Sequence, residues 1–309
     1  LNTPATASDI RVVASLAEIE TQQWNRLAGQ PPFLRHEFLR ALEETGCVGG
    51  RSGWQPQFLT AWEDGALAAA MPLYLKHHSY GEYVFDWAWA DAYQRHGLRY
   101  YPKLVNAVPF TPVTGQRVLG SSPELRARLI AAALELGKKL GVSSFHCLFP
   151  PPEQAQEFQA QGMMLRTGVQ FHWQNPGYGN FDDYLAALTR DKRKKIKQER
   201  RRVNDAGITF RCLTGRAIGE ADWRFFNRCY QNTYQEHFST PYLNLEFFLQ
   251  IGWRMPDNVV LIMADRDGSP IASALNFRDE SNLYGRYWGA LEKSPGLHFE
   301  TCYYQAIQY

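Results

Sequence analysis

No run in this 309-residue sequence approaches about 18 consecutive apolar residues, so no segment is long and apolar enough to cross a bilayer as a helix. The first residues, Leu1-Asn2-Thr3-Pro4, have no basic stretch and no apolar stretch behind it, so no secretory leader is visible. Cysteine is scarce. The five at 47, 147, 212, 229 and 302 are odd in number and scattered, without a C-x-x-C pair. They read as reduced thiols of a cytoplasmic protein, and the spacing excludes a zinc site. Gly-x-Ser-x-Gly, Gly-x-x-x-x-Gly-Lys and His-Glu-x-x-His are all missing, which sets aside the serine-hydrolase elbow, the P-loop and the zincin helix. His77 and His78 are sequence neighbours at a strand end and would point opposite ways, a poor metal pair. No metal is expected. Gly177-Tyr178-Gly179 lacks the third glycine and the preceding strand of a dinucleotide loop.

One more scarcity is local. Residues 190–202 hold nine Lys/Arg against two acids, Asp191 and Glu199, whereas the whole chain carries 33 basic and 31 acidic residues. The remainder is therefore mildly acidic, 24 against 29, and the formal charge of +2 hides one dense cationic segment. Without Gly or Pro, and with Thr189 before it and Asp205-Ala206-Gly207 after it, this segment reads as a helix over 190–205. Ile196 and Val203 fall on one line that docks it on a core, and Leu185 and Thr189 extend that line. Lys192, Arg193 and Arg200 border the stripe and are the better candidates to bind a specific phosphate or carboxylate. Arg190, Lys194, Lys197 and Arg201 form a ridge on the far side. A solvated face is one reading of that ridge. Against it, such faces usually interleave Glu with Lys four residues on, and here only Glu199 does so. Repulsion along the helix would be relieved by phosphate.

The rest is ordinary globular material, 45% hydrophobic and 14% aromatic. Strands are expected at 10–13, 57–63, 66–75, 83–89, 142–148, 163–173, 208–213, 259–264, 271–277 and 283–289. Helices are expected near 14–28, 32–45, 122–141 (Leu125, Leu129, Ala132, Leu136 and Leu140 at helical spacing), 152–161, 181–188, 222–234 and from 297 on. Asn175-Pro176-Gly177 is the clearest linker, dividing a first domain, 1–175, from a second, 176–309. The halves rhyme. Pro-[Phe/Tyr]-Leu-x-x-Glu-Phe-[Leu/Phe] stands at Pro32 and Pro241, and each is followed by a strand, an Asp-Gly turn (Asp64-Gly65, Asp267-Gly268), an Ala-rich strand and an aromatic strand around Trp87 or Trp288. The order reads as duplication of one α/β (α+β) unit, the second copy incomplete at its C-terminus.

Ala70–Lys76, Tyr80–Trp89, Pro109-Phe110-Thr111-Pro112-Val113, Arg193-x-x-Ile196-x-x-Glu199-Arg200-x-x-Val203 and Leu297-His298-Phe299-Glu300-x-Cys302-Tyr303-Tyr304-Gln305 resemble the Fem-like bacterial proteins labelled peptidoglycan biosynthesis/recognition. The resemblance covers essentially the whole chain. It implies two tandem GNAT-like acyltransferase domains and transfer of an acyl or aminoacyl group to an amine, with acyl-CoA or aminoacyl-tRNA as donor. It also implies a phosphate-bearing small molecule or tRNA as partner, and peripheral contact with a lipid-linked precursor. A CoA-dependent N-acetyltransferase and a non-catalytic phosphate-, RNA- or envelope-precursor-binding protein are the rival readings. GNAT-like enzymes hold CoA pyrophosphate with Gln/Arg-x-x-Gly-x-Gly/Ala, and Arg117-Val118-Leu119-Gly120-Ser121-Ser122 matches the first two fixed positions and fails at the last. By the same analogy Tyr303 or Tyr304 would give a proton to the leaving group. Glu300 is a base or simply favourable with its helix dipole. Arg286 and Trp288 on the last strand, and Asp86 in the corresponding place of the first half, contact substrate or pair within the fold. His237 is a loop cap.

Overall fold

Two Asp-Gly pairs set the hairpins on which both halves are built. Asp64 (φ 48°) and Gly65 (φ 77°) make one turn, Asp267 (φ 50°) and Gly268 (φ 76°) the other. Positive φ at both central residues is the two-residue turn whose twist matches the flanking strands, and Asp-Gly adopts it at least cost. The computed structural model describes residues 9–309. The first eight, including the stretch read for a leader, lie outside the described residues. The chain divides into two compact units, Leu1–Arg166 and Thr167–Tyr309.

In the first unit, β1 (Asp9–Val13) leads through α1 (Thr21–Ala28) and α2 (His36–Glu44) to β2 (Trp54–Pro56), β3 (Phe58–Glu63), β4 (Ala66–Met71) and β5 (Leu73–Lys76). Then come α3 (Trp87–Arg95), β6 (Lys103–Asn106), α4 (Pro123–Leu140), β7 (Phe145–Cys147) and α5 (Pro152–Ala160). One sheet has the order β1-β3-β4 and a second β2-β5-β6-β7, with only β6 and β7 parallel. The single strand expected over 66–75 breaks at Pro72, which has no N–H for a ladder. Its carbonyl instead accepts from Asn106 Nδ2 at 2.6 Å. The chain thereby passes from one sheet to the other. Helix α4, capped by Ser122 and ended by left-handed Gly141, buries Leu125, Leu129, Ile130 and Ala133 on the core, while Leu140, expected on the same stripe, is exposed.

In the second unit, α6 (Phe181–Ala187) and α7 (Arg190–Asp205) precede β8 (Ile208–Thr214), α8 (Glu220–Glu236), α9 (Leu245–Arg254), β9 (Val259–Arg266), β10 (Ser269–Arg278) and β11 (Leu283–Ala290). The four strands form an antiparallel sheet in the order β8-β9-β10-β11. Helix α10 (Leu297–Phe299) runs through a π-wound turn, Glu300–Tyr304, into α11 (Gln305–Gln308). Trp223, Phe226, Tyr230, Phe247 and Phe248 of α8 and α9 are buried together as edge-to-face and stacked rings.

Two expected strands are absent. Residues 83–86 are irregular and Trp87 begins a helix, because the Asp86 carboxylate turns inward to a lysine rather than lying on a pleat. The first half of the rhyme therefore lacks its aromatic strand. Met163–Trp173 alternates like a strand but forms no ladder among the described residues, and Met164, Val169 and Phe171 are exposed. Alternation supplies a face, but a strand also needs a neighbour to take its backbone hydrogen bonds.

Gly289 of β11 lies against α8, where an added Cβ would stand 1.9 Å from the Cys229 carbonyl oxygen. Backbone cannot yield as a side-chain tip can, so Gly289→Ala is expected to lower stability by about 2 kcal/mol or more in urea denaturation. Gly285→Ala, whose Cβ would meet Asn276 Oδ1 at 3.5 Å, serves as the tolerated control on the same strand.

Candidate functional site

Helix α7 spans the cationic segment, from Arg190 to Asp205 with Gly207 left-handed beyond it. Thr189 takes the cap position without a side-chain bond. Leu185 lies in a separate helix, α6, which stops at Leu188, so the stripe is not one continuous helix. Val203 is buried and Ile196 half-buried, and docking rests as much on polar contacts as on these two. Arg200 Nε donates to Glu300 Oε1 at 3.0 Å, and its Nη2 donates to Gln308 Oε1 at 2.8 Å. Its guanidinium also lies 4.4 Å from the Phe181 ring centre. Gln305 Nε2 donates to Glu300 at 2.7 Å. One residue earlier on α7, Glu199 accepts from the Tyr304 hydroxyl at 2.6 Å. Burial, and then this bond to a carboxylate, push the Tyr304 phenol up.

The structure thus brings Arg200, Glu300 and Tyr304 together, and gives them to one another. Tyr303 stays half-exposed, its ring 5.6 Å from Phe299 and 5.9 Å from His298. On the outer face Arg190, Lys194, Lys197 and Arg201 are all exposed. The nearest acid to this ridge is Asp182, 4.0 Å from Lys197. Lys192 is exposed and Arg193 half-buried, with a long contact of 3.4 Å to the Ala186 carbonyl. A groove of about 670 Å³ runs beside the ridge, lined by Asn180, Phe181, Lys197, Arg200, Arg201 and Gln308. On β11, Arg286 lies 4.8 Å from the Tyr287 ring centre. Trp288 packs with Val203, Ile208 and Leu297 and touches His298. His237 ends α8 and is exposed.

The first unit holds a second polar cluster. Lys76 and Lys103 face each other across β5 and β6 and are both fully buried. Like charges at a cross-strand pair are unfavourable unless acids intervene. Two do: Lys103 Nζ donates to Glu82 at 2.8 Å and to Asp86, and Asp86 also accepts from the Tyr100 hydroxyl at 2.6 Å. Lys76 Nζ donates to the Tyr80 carbonyl at 3.2 Å and sits 3.8 Å over the Trp54 ring. Burial pulls the Lys76 ammonium down to about 7. Burial raises Glu82 despite the attraction of Lys103. For Asp86 burial is outweighed by hydrogen bonds from Lys103 and Tyr100, which hold it low. Burial, then the charge of Lys103, takes nearby His146 down to about 4. Sequence reading found only Asp86 here. The local signal for it is a lysine closing β5 (Leu73–Lys76) and another opening β6 (Lys103–Asn106).

The loop matched to a pyrophosphate site is built otherwise. Arg117 is buried, and its guanidinium donates to the carbonyls of Leu148, Gly115, Gln116 and Val113. Burial draws it down to about 10. Helix α4 behind it is already capped by Ser122 and carries Glu124 in its first turn.

Arg200→Ala would leave the Glu300 carboxylate buried beside fewer donors. Because Arg200 is partly exposed, the expected loss is about 2–3 kcal/mol, below that of a fully enclosed pair, read as a lower urea midpoint. Lys76 makes a pH-dependent contribution of known sign. Between about pH 7 and its ordinary 10.5 the unfolded chain holds a proton that the folded one has released. Stability should therefore rise with pH across that window, by up to about 1 kcal/mol per unit. In Lys76→Met the rise should shrink, and equal slopes in both proteins would refute the assignment.

No curated protein sequence matches this one. Among solved structures, the chain is similar to the C-terminal domain of a putative lysylphosphatidylglycerol synthetase from Agrobacterium fabrum, with a TM-score of 0.52 at 13% identity over 95% of this chain and 75% of that one. At that identity the likeness concerns the fold alone. A structure of FemX matches with a TM-score of 0.49 at 11% identity, over 94% of this chain and 81% of that one. Residues 15–309 match the FemAB-like family, described as peptidoglycan biosynthesis/recognition, and the chain belongs to that family.

Proposed function

We propose that the protein is an acyl or aminoacyl transferase of the Fem-like kind, acting on an amine, with a polyanionic donor such as aminoacyl-tRNA held on α7. The observation that carries the reading, beside family membership, is the division of labour on that helix. Arg200 is bonded inward to Glu300 and Gln308, while Arg190, Lys194, Lys197 and Arg201 are exposed along one edge. An exposed row of four cations with one acid, Asp182, at its edge suits a long phosphate backbone, whereas an enclosed pair would suit one small phosphate. Tyr303, half-exposed, is the hydroxyl left available to a leaving group, since that of Tyr304 is bonded to Glu199.

Two tandem GNAT-like domains, divided at the Asn175–Asn180 stretch, are part of the proposal. Its support is the shared order in both halves: strand, two helices, then, after the extra short β2 in the first half, a two-strand hairpin closed by the same Asp-Gly turn. A CoA-dependent N-acetyltransferase is disfavoured by Arg117, whose guanidinium donates to backbone carbonyls. A non-catalytic RNA- or precursor-binding protein is favoured by one fact, that Glu300 is already held by Arg200 and Gln305 rather than poised as a base. We place the protein in the cytoplasm, where these donors are made.

The test compares binding of aminoacyl-tRNA, deacylated tRNA and acetyl-CoA, followed by transfer of the labelled aminoacyl group to an amine acceptor. Aminoacyl-tRNA is expected to bind and to lose its label to the acceptor. Binding without transfer selects the non-catalytic reading, and binding of acetyl-CoA alone refutes the proposal.

A further inference from the structure

Residues 80–99 carry a surface for which the transferase reading has no use. Tyr80, Tyr83, Phe85, Trp87, Trp89 and Leu98 are 55%, 40%, 78%, 42%, 50% and 60% exposed. Helix α3 begins within this set and has no buried residue. A surface helix ordinarily buries an apolar stripe, and an exposed aromatic cluster of this size marks an interaction site.

The segment is held, not loose. Lys76 bonds the Tyr80 carbonyl, and Lys103 bonds Glu82 and Asp86. The acids thus point inward, and the aromatic residues between and beside them are left facing out. The rings of Tyr80 and Trp87 lie 5.3 Å apart, which joins loop and helix in one patch. With Glu82 and Asp86 bonded inside, the outward charges of the segment are Asp91 against Arg95 and Arg99, a cationic excess of one in the same stretch as the rings.

We infer that this segment seats on the surface of an anionic lipid bilayer. Trp87, Trp89, Tyr80, Tyr83 and Phe85 enter the boundary between headgroups and acyl chains, and Arg95 and Arg99 face anionic headgroups. Tryptophan and tyrosine favour that boundary because each ring has an apolar body and a polar edge. The inference goes beyond the peripheral contact with a lipid-linked precursor that the family resemblance implies, by naming the residues that meet the bilayer itself, and its test involves neither tRNA nor acyl transfer.

The experiment is sedimentation of the full chain with vesicles of phosphatidylcholine alone and of phosphatidylcholine with phosphatidylglycerol. Because α7 also attracts anions, the decisive variant is Trp87→Ser/Trp89→Ser, which leaves every cation in place. Wild type should bind the anionic vesicles, and the double variant should lose about tenfold or more in partitioning. Arg95→Glu/Arg99→Glu should weaken binding to the anionic vesicles. Circular dichroism should be unchanged in both, since the replaced side chains are exposed. Equal binding by wild type and the Trp87→Ser/Trp89→Ser variant overturns the inference. So does a concentration-dependent dimer that these replacements abolish, which would assign the patch to a second copy.

Discussion

A helix with nine cations in thirteen residues can rest on a protein body only if some of its charge is answered from that body. Glu300 answers it here. The Arg200–Glu300 pair, flanked by Gln305 and Gln308 and joined by the Glu199–Tyr304 hydrogen bond, ties α7 to the helical run at the end of the chain. Val203 is the one buried residue of α7 itself, so apolar docking is thin and the polar contacts fix which way the helix is turned. That rotation leaves Arg190, Lys194, Lys197 and Arg201 outward. Glu300 and Tyr304, two of the candidate catalytic residues, also form the seat of the helix, at the π-wound turn Glu300–Tyr304.

The first unit solves a related problem with the signs reversed. Two lysines face each other inside a sheet, and the acids that bond one of them, Lys103, come from the segment between β5 and β6. Neutralising buried charge and fixing that segment are then one event. Glu82 Oε1, Asp86 Oδ1 and Trp54 Nε1 are buried with no hydrogen-bond partner among the described residues. The cluster is therefore not the most stable way to fill this volume, since an apolar core would leave no such cost. What the arrangement does achieve is a defined outward face on the residues it holds.

Much of this was legible in the sequence, and for local reasons. The bounds of α7, the Asp-Gly hairpins, α4 and α5 follow from caps, turn residues and periodicity, which act over a few positions. Family membership was legible in motifs spread along the chain. The failures have a common cause. Tyr83–Trp89 and Met163–Trp173 have strand composition, but their state is decided by distant groups: Lys103 takes Asp86 out of any pleat, and no strand pairs with 163–173 among the described residues. The pairing of Arg200 with Glu300 is not legible locally, because the two lie a hundred positions apart. The lysine cluster was missed for the same reason, since cross-strand opposition of Lys76 and Lys103 is a matter of register.

In the proposed function the outer ridge of α7 binds a phosphate backbone through charge alone. The most direct measurement is the dependence of the tRNA dissociation constant on salt, for wild type and for Lys194→Ala/Arg201→Ala. A slope shallower by about one to two is expected in the double variant, because each cation removed releases one counterion fewer. An unchanged slope, with tRNA bound as tightly as by wild type, would contradict it.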